Sequence, residues 1–421
     1  MNISHRELFL NYIGQTSESP YLVEIERAKG VYMYGPDGKK YFDLISGVSV
    51  SSLGHCNENV AAAVREQIDK YMHLMVYGEF VQSPQVELAE YLCGMLPKKF
   101  DNVYFVNSGS EAIEGATKLA KRYTRRRKMF SFVNAYHGST QGALSLCGNE
   151  DFKRSFRPLL PDVYHLELNN FDQLSQIDED TACVVLESIQ AEGGVMVPMV
   201  EYMQELRSVC TKKGALLILD EIQTGFGRTG KMFGFMHFGI EPDIICFAKA
   251  LGAGMPIGAF VSSRKIMSAF KTDPVLGHIT TFGGHPVSAA AALAGVKIIN
   301  ESGIVDTIQA KADRFISNLK SHPMISEIRG KGLLLAVEIG SFDNVLHFIK
   351  KAIANGLISD WFIFHDTAFR IAPPLVISND EIDEASELII KTLNEIQKKQ
   401  ASIDACRKCF GKAKCYPISL I

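Results

Sequence analysis

Between residues 103 and 259 the chain alternates two hydrophobic periods. Short apolar runs at 103–105, 129–133, 183–186, 216–219, 244–247 and 257–261 are separated by stretches whose apolar residues recur at helical spacing. Unbroken runs of branched and aromatic residues predict strands buried on both faces, and their alternation with helices is the rhythm of a mostly parallel βα sheet. Outside this region, residues 31–43 alternate around a Pro36-Asp37-Gly38 turn and predict a hairpin. Helical periods cover 60–71, 86–95, the alanine-rich 288–299, 304–319, 342–354 and 380–398. Strand-like segments lie at 325–337, interrupted by Gly330 and Gly332, and at 368–377. The expected architecture is α/β. A large domain with a central sheet spans 55–299, and a small α+β domain is built from both chain ends, 1–54 and 300–421.

Composition narrows the partners. The 421 residues are 47% hydrophobic and 22% charged, ordinary for a globular protein with a large core. A net charge of −3 gives no reason to expect nucleic acid or an anionic membrane surface as partner. No apolar run is long enough to span a bilayer. The opening Met1-Asn2-Ile3-Ser4-His5-Arg6-Glu7 lacks the basic-then-apolar plan of a signal peptide, so a cytoplasmic location is expected. Of nine cysteines, Cys56, Cys93, Cys147, Cys183, Cys210 and Cys246 are scattered among apolar neighbours and read as small buried hydrophobes. Cys406, Cys409 and Cys415 cluster in a terminal tail. A closed structural zinc site wants four ligands, and with no fourth cysteine and no histidine nearby, a reduced, exposed tail without metal is expected.

Candidate chemistry gathers at the predicted strand ends. The run 215–219 stops abruptly at Asp220-Glu221-Ile222-Gln223-Thr224-Gly225, and the run 244–247 stops at Ala248-Lys249-Ala250. Neighbouring strands of this kind deliver a carboxylate and an amine to one sheet edge, the edge where open α/β sheets bind ligands. A buried lysine nucleophile beside an acid that must stay charged is the pair that pyridoxal phosphate chemistry requires. Asn107-Ser108-Gly109-Ser110-Glu111 follows another strand and opens a helix reaching about residue 125. Its glycine and serines admit an anion to the helix N-terminus, and they equally suit plain N-capping by Ser108 or Ser110. Tyr136, in Ala135-Tyr136-His137-Gly138-Ser139, is an aromatic at a strand end, fit to stack on a flat ring or to serve as a turn residue. Glu187 and Glu192, in Leu186-Glu187-Ser188-Ile189-Gln190-Ala191-Glu192-Gly193-Gly194, suggest either a site or a solvated loop.

Other patterns carry less. Gly225-Phe226-Gly227-Arg228-Thr229-Gly230-Lys231 matches a dinucleotide-loop spacing and nearly matches a P-loop. But Met232 stands where a magnesium-binding Ser or Thr belongs, and the following Phe233-Gly234-Phe235 is a poor helix start. The basic run 124–128 ends a helix and needs no partner. His137, His278 and His285 are not at metal-ligand spacing.

Taken together, from about residue 30 to 377, these motifs resemble the class III pyridoxal-phosphate aminotransferases of fold type I. Those carrying the resemblance most specifically are Asp220-Glu221-Ile222-Gln223-Thr224-Gly225, Gly227-Arg228-Thr229-Gly230, Ala248-Lys249 and Thr281-Phe282-Gly283-Gly284-His285-Pro286. The resemblance implies pyridoxal 5′-phosphate in Schiff-base linkage to Lys249, with Asp220 on the ring nitrogen and Gln223 on the ring hydroxyl. Ile222 packs one ring face and Tyr136 the other. Gly109 and Ser110 hold the phosphate, and Ser108 and His137 lie in the cofactor shell. It implies that Thr281 reaches the phosphate of a second subunit, in a homodimer with shared active sites. On the substrate side it implies that Glu192 switches on and off Arg370, which grips an α-carboxylate. The chain departs from the acetylornithine, ornithine and 4-aminobutyrate enzymes at Ser139, where they usually carry an arginine. It also departs at Val48, in the substrate site, where ornithine enzymes place a tyrosine. The implied reaction moves an amino group from an ω-amine or amino acid to 2-oxoglutarate or pyruvate. An amino-acid racemase or aminomutase of the same fold is the alternative.

Overall fold

A computed structural model describes the backbone of residues 4–410 and the side chains through Lys398. Its strands, in chain order, are β1 (Arg27–Lys29), β2 (Tyr32–Tyr34), β3 (Lys40–Asp43), β4 (Asn102–Val106), β5 (Lys128–Phe132), β6 (Val163–Leu166), β7 (Thr181–Glu187), β8 (Leu216–Asp220), β9 (Ile244–Phe247), β10 (Gly258–Ser262), β11 (Glu327–Lys331), β12 (Leu334–Glu338), β13 (Leu357–Ile358), β14 (Trp361–Phe362) and β15 (His365–Ile371). Seven of them form the main sheet in the order β4-β10-β9-β8-β7-β5-β6. β5–β9 run parallel, and β10 is antiparallel to both its neighbours. The six apolar runs seen in the sequence are all strands. β6, an edge strand with only Leu166 fully buried, has no such run.

The apolar runs are unbroken because both faces are covered. Leu217, Leu219, Ile245 and Phe247 point into one core cluster, and the alternating Leu216, Ile218, Ile244 and Cys246 point into another. The helix Gly109–Thr124 covers the second face with Ala112, Ile113, Ala116, Leu119 and Ala120, at helical spacing. It lies so close that a Cβ at Gly115 would come within 2.3 Å of the Phe260 ring. Close docking of this helix fixes where its N-terminus points.

A second core joins Val31, Phe42 and Leu44 to Ile308, Phe315, Leu335, Val337, Phe348, Phe369 and Ile371. Here the predicted hairpin appears as β2–β3, with Tyr34 opposite Lys40. The 325–337 segment is the hairpin β11–β12. The strand expected at 368–377 instead runs from His365 to Ile371, because Pro373 and Pro374 have no N–H to offer a ladder. The last helix, Asn379–Phe410, runs past residue 398 and takes in Cys406 and Cys409. The side chains of both, and Cys415 altogether, lie outside the described residues, and with them the expectation for the tail. Of the six scattered cysteines, Cys147, Cys183, Cys210 and Cys246 are buried as expected, but Cys93 is half-buried and Cys56 is exposed. Among the described residues no helix is long and apolar enough to cross a membrane.

Candidate active site

The parallel strands bring chemistry to one edge because their registers align. Glu187 at the end of β7 is the Cα partner of Asp220 at the end of β8, and Asp220 is the partner of Cys246 in β9. Beyond β9 the chain turns sharply. Lys249 takes a left-handed backbone (φ +47°) and begins a single 3₁₀ turn, Lys249–Gly252. A non-glycine residue held there stores about 1–3 kcal/mol of strain, a pattern common at functional sites. A cavity of about 430 Å³ opens at this edge. Ser108, Gly109, Ser110, Tyr136, His137, Glu187, Glu192, Asp220, Ile222, Gln223 and Lys249 all line it.

Lys249 Nζ donates to Gln223 Oε1 at 2.7 Å. Burial drives its ammonium pKa down. The Arg370 charge adds to that, while Glu192, Asp220 and Glu187 oppose it, and the net shift is downward. Asp220 Oδ1 accepts from the Ile222 amide at 3.0 Å, and Oδ2 lies 2.8 Å from His137 Nδ1. A carboxylate only accepts, so Nδ1 carries the proton. Among the described residues, His137 Nε2 and Gln223 Nε2 are buried without a hydrogen-bond partner. The adjacent acid has a different fate. Glu221 turns into the protein, where its carboxylate accepts from Ser188 Oγ, Thr224 Oγ1 (2.8 Å) and the amides of Gly234 (2.8 Å) and Phe235 (2.7 Å). It braces the loop that shapes the site.

At the far end of the cavity lining, Ser108 caps the helix Gly109–Thr124 by accepting from the Glu111 amide at 3.2 Å. Capping and anion binding are compatible, because the first-turn amides of Gly109 and Ser110 have no intrahelical partner. Gly138, at φ +128°, packs so tightly that a Cβ would lie 2.0 Å from Ser110 Oγ. That contact locks the loop after β5, which carries Tyr136, onto the loop after β4. The Tyr136 hydroxyl lies 3.1 Å from Ser139 Oγ.

Glu187 and Glu192 are buried, at 6% and 3% exposure, so the solvated-loop reading fails. Glu192 forms a two-point pair with Arg370, 3.0 Å to each terminal nitrogen. Burial pushes the Glu192 carboxyl up, and the Arg370 charge and its hydrogen bonds outweigh that, for a net downward shift. Arg370 also donates Nε to Asp360 Oδ1 at 2.9 Å, and its guanidinium lies 4.5 Å from the Phe362 ring centre. Arg370 therefore stands behind Glu192, outside the cavity lining.

Two expected residues lie elsewhere. Val48, at φ +60°, is not in the lining, and Val50 is. Thr281 is exposed and outside the cavity, while its neighbour Thr280 accepts from Asn107 Nδ2 at 3.0 Å. The Gly225–Lys231 loop opens no helix. Its Arg228 is buried and donates to the carbonyls of Leu333 (2.9 Å) and Pro373 (2.6 Å), so the loop is a tie between the two cores. Among the described residues no cluster of His, Cys, Asp and Glu is placed to hold a metal ion.

Residues 13–393 match the family model described as aminotransferase class-III. The chain belongs to the class III aminotransferases. It is 38% identical to the acetylornithine aminotransferase of Archaeoglobus fulgidus over 87% of this chain and 95% of that one. It is 39% identical to the acetylornithine aminotransferase of Bacillus subtilis, over 86% and 93%. Among solved structures, the ornithine aminotransferase of Toxoplasma gondii superposes with a TM-score of 0.87 at 30% identity, covering 94% of this chain and 97% of that one. This aminotransferase is thus an enzyme of fold type I that transfers an amino group between an amino donor and a 2-oxo acid. Asp360 escaped the sequence reading. It sits between two-residue strands with no periodic signal, and only the turn back into β15 brings it beside Arg370.

Proposed function

We propose that this aminotransferase binds pyridoxal 5′-phosphate at Lys249 and moves an amino group from an ω-amine or amino acid to 2-oxoglutarate or pyruvate. One observation carries the reading. The Lys249 amine, the Asp220 carboxylate and the Gln223 amide line one cavity together with Glu192, the residue that covers Arg370. The residues present fit the cofactor. The unpartnered Gln223 Nε2 is a donor for a ring hydroxyl, Asp220 is a fixed acceptor for a ring N–H, and the first-turn amides of Gly109 and Ser110 suit a phosphate. When bound, the cofactor supplies an electron-accepting ring that stabilises negative charge at the substrate carbon.

The chain's own groups do the rest. Lys249, whose pKa burial lowers, gives up its proton more readily than an ordinary lysine, and as the free amine it can attack a carbonyl and, once displaced, move the proton at the substrate carbon. Asp220, held by His137 and the Ile222 amide, presents its negative charge to the ring nitrogen. Tyr136 and Ile222, both in the cavity lining, would hold the ring between them. Glu192 covers Arg370 for donors without a carboxylate there and yields to an α-carboxylate, which the guanidinium grips at two points. No arginine stands at Ser139, so a donor leaving the cavity on that side meets a hydroxyl. The relatives named above are transaminases, and no observation favours a racemase or aminomutase.

Arg370→Ala should raise KM for glutamate and 2-oxoglutarate by about 10- to 100-fold, the scale of a lost charge-assisted contact. A plain amine should be nearly unaffected. Steady-state kinetics with both donor classes decides, and an equal loss for both rejects the grip. The variant also strands Glu192 and Asp360, so its stability should fall by about 3–5 kcal/mol.

The active unit in this reading is a homodimer. The exposed Thr281 of each subunit reaches the phosphate of its partner, and Val275, Leu276, Ile279 and Phe282 around it are open apolar side chains. Thr281→Ala should weaken cofactor binding about tenfold through one lost phosphate hydrogen bond. The weakening should vanish on dilution to monomer. Equilibrium dialysis across protein concentrations measures it, and unchanged affinity removes the shared site.

A further inference from the structure

We propose that Glu187 is a positioning residue that joins the Tyr136 loop to the Glu192 loop, so that withdrawal of Glu192 from Arg370 is transmitted to Tyr136 through one carboxylate. The proposal rests on the reading of Glu192 as a substrate-displaced gate. Glu187 Oε1 accepts from the Tyr136 amide at 3.0 Å, and Oε2 accepts from the Ala191 amide at 2.9 Å. Tyr136 follows β5, and Ala191 immediately precedes Glu192. The far side of the Glu192 loop is anchored separately. The Phe364 amide donates to the Glu192 carbonyl at 3.0 Å, and Arg329 Nε donates to the Gly194 carbonyl at 2.6 Å. Gln190 Nε2 adds a second link to the β5 side by donating to the Val133 carbonyl at 2.7 Å.

The carboxylate has no ion-pair partner among the described residues, so both oxygens are committed to backbone amides. The ionisable groups facing it are His137, Asp220, Lys249 and Cys147. Burial pushes its carboxyl up to about 7, with Asp220 adding to the rise and His137 opposing it. The ionised form accepts from both loops. A proton on one oxygen makes that atom a donor and a poorer acceptor, and its hold on one loop weakens. The joint is thus intact above neutral pH and weakened below it.

Glu187→Gln tests this at nearly constant shape, since an amide accepts from one loop but turns its NH₂ toward the other N–H. In the protein without cofactor, hydrogen exchange of the Tyr136 or Ala191 amide should speed up about tenfold against the native chain at the same pH, with little change in Tm. In the loaded enzyme, the half-reaction with glutamate or alanine should slow about tenfold more than that with n-butylamine, which has no carboxylate to displace Glu192. In the native chain this difference should appear as pH falls through neutrality, and in the variant it should be independent of pH. Glu187→Asp keeps the charge but is one methylene too short for both loops, and should show the same selective slowing. Full protection of both amides, or equal slowing of both donors, overturns the proposal. The native enzyme's own response to amino donors tests the transaminase reading separately.

Discussion

Lys249→Ala should lower turnover by about 10⁴-fold or more, because one atom serves as both nucleophile and proton carrier, and the acid–base role alone is worth about 10²–10⁴. The fold should survive. Ala253 holds φ +49° in the same turn where Lys249 holds φ +47°, so alanine is tolerated in that backbone conformation nearby. Removing the amine also removes a half-buried polar group whose hydrogen bond, among the described residues, is to Gln223. Cofactor should still bind, without a covalent link, through Asp220, Tyr136 and the Gly109–Ser110 amides. Single-turnover rates and the visible spectrum of the cofactor-loaded variant measure both claims. A near-normal rate rejects Lys249 as the reacting group.

The pH dependence follows from the same residue. The reacting form is the free amine, so the rate should rise with pH as Lys249 loses its proton. Burial lowers that pKa, and Arg370 lowers it further. The rise should therefore finish at a lower pH than an ordinary lysine would allow. Glu192, Asp220 and Glu187 pull the other way, so the site holds its amine by opposed charges rather than by desolvation alone.

The parts of this enzyme that the chain announces are those where one local pattern has one physical meaning. Leu216–Asp220 and Ile244–Phe247 are unbroken apolar runs because both sheet faces are buried, and a run that ends in a charge marks where the sheet meets the cavity. β6 was hidden because, at the sheet edge, only Leu166 of its four residues is fully buried. The reversed direction of β10 was hidden because an antiparallel strand buried on both faces has the same composition as a parallel one. In the site, Glu187 and Glu192 read equally as solvated or buried, since only the amides and guanidinium that meet them in three dimensions decide. Val48 lies outside the cavity lining, in a stretch where Ser46, Gly47, Val48 and Ser49 all take positive φ. Val50 lines the cavity in its stead. Asp360 has no local signature, and its meeting with Arg370 depends on how β14 folds back on β15.

Asp220→Asn is expected to cost about 10²–10³ in kcat, the scale of removing one fixed electrostatic partner from a water-excluded site. The substitution keeps the side chain's size and one oxygen. That oxygen can still accept from His137 Nδ1 or from the Ile222 amide, so the local scaffold should hold and Tm should change little. What is lost is the charge. With the cofactor bound, a carboxylate at the end of β8 would favour a protonated ring nitrogen and so strengthen the electron-accepting chemistry the ring would supply. With a neutral amide there, ground-state binding should weaken far less than the chemical step, because the extra negative charge appears only in the transition state. The loss should therefore fall on kcat with KM nearly unchanged, and equally for glutamate and for a plain amine, since Asp220 is remote from the Glu192–Arg370 gate in role. That equality separates it from Arg370→Ala, which should discriminate between donors. If Asp220→Asn raised KM and left kcat intact, Asp220 would be a binding residue only, and the electron-withdrawing role assigned to it would be wrong.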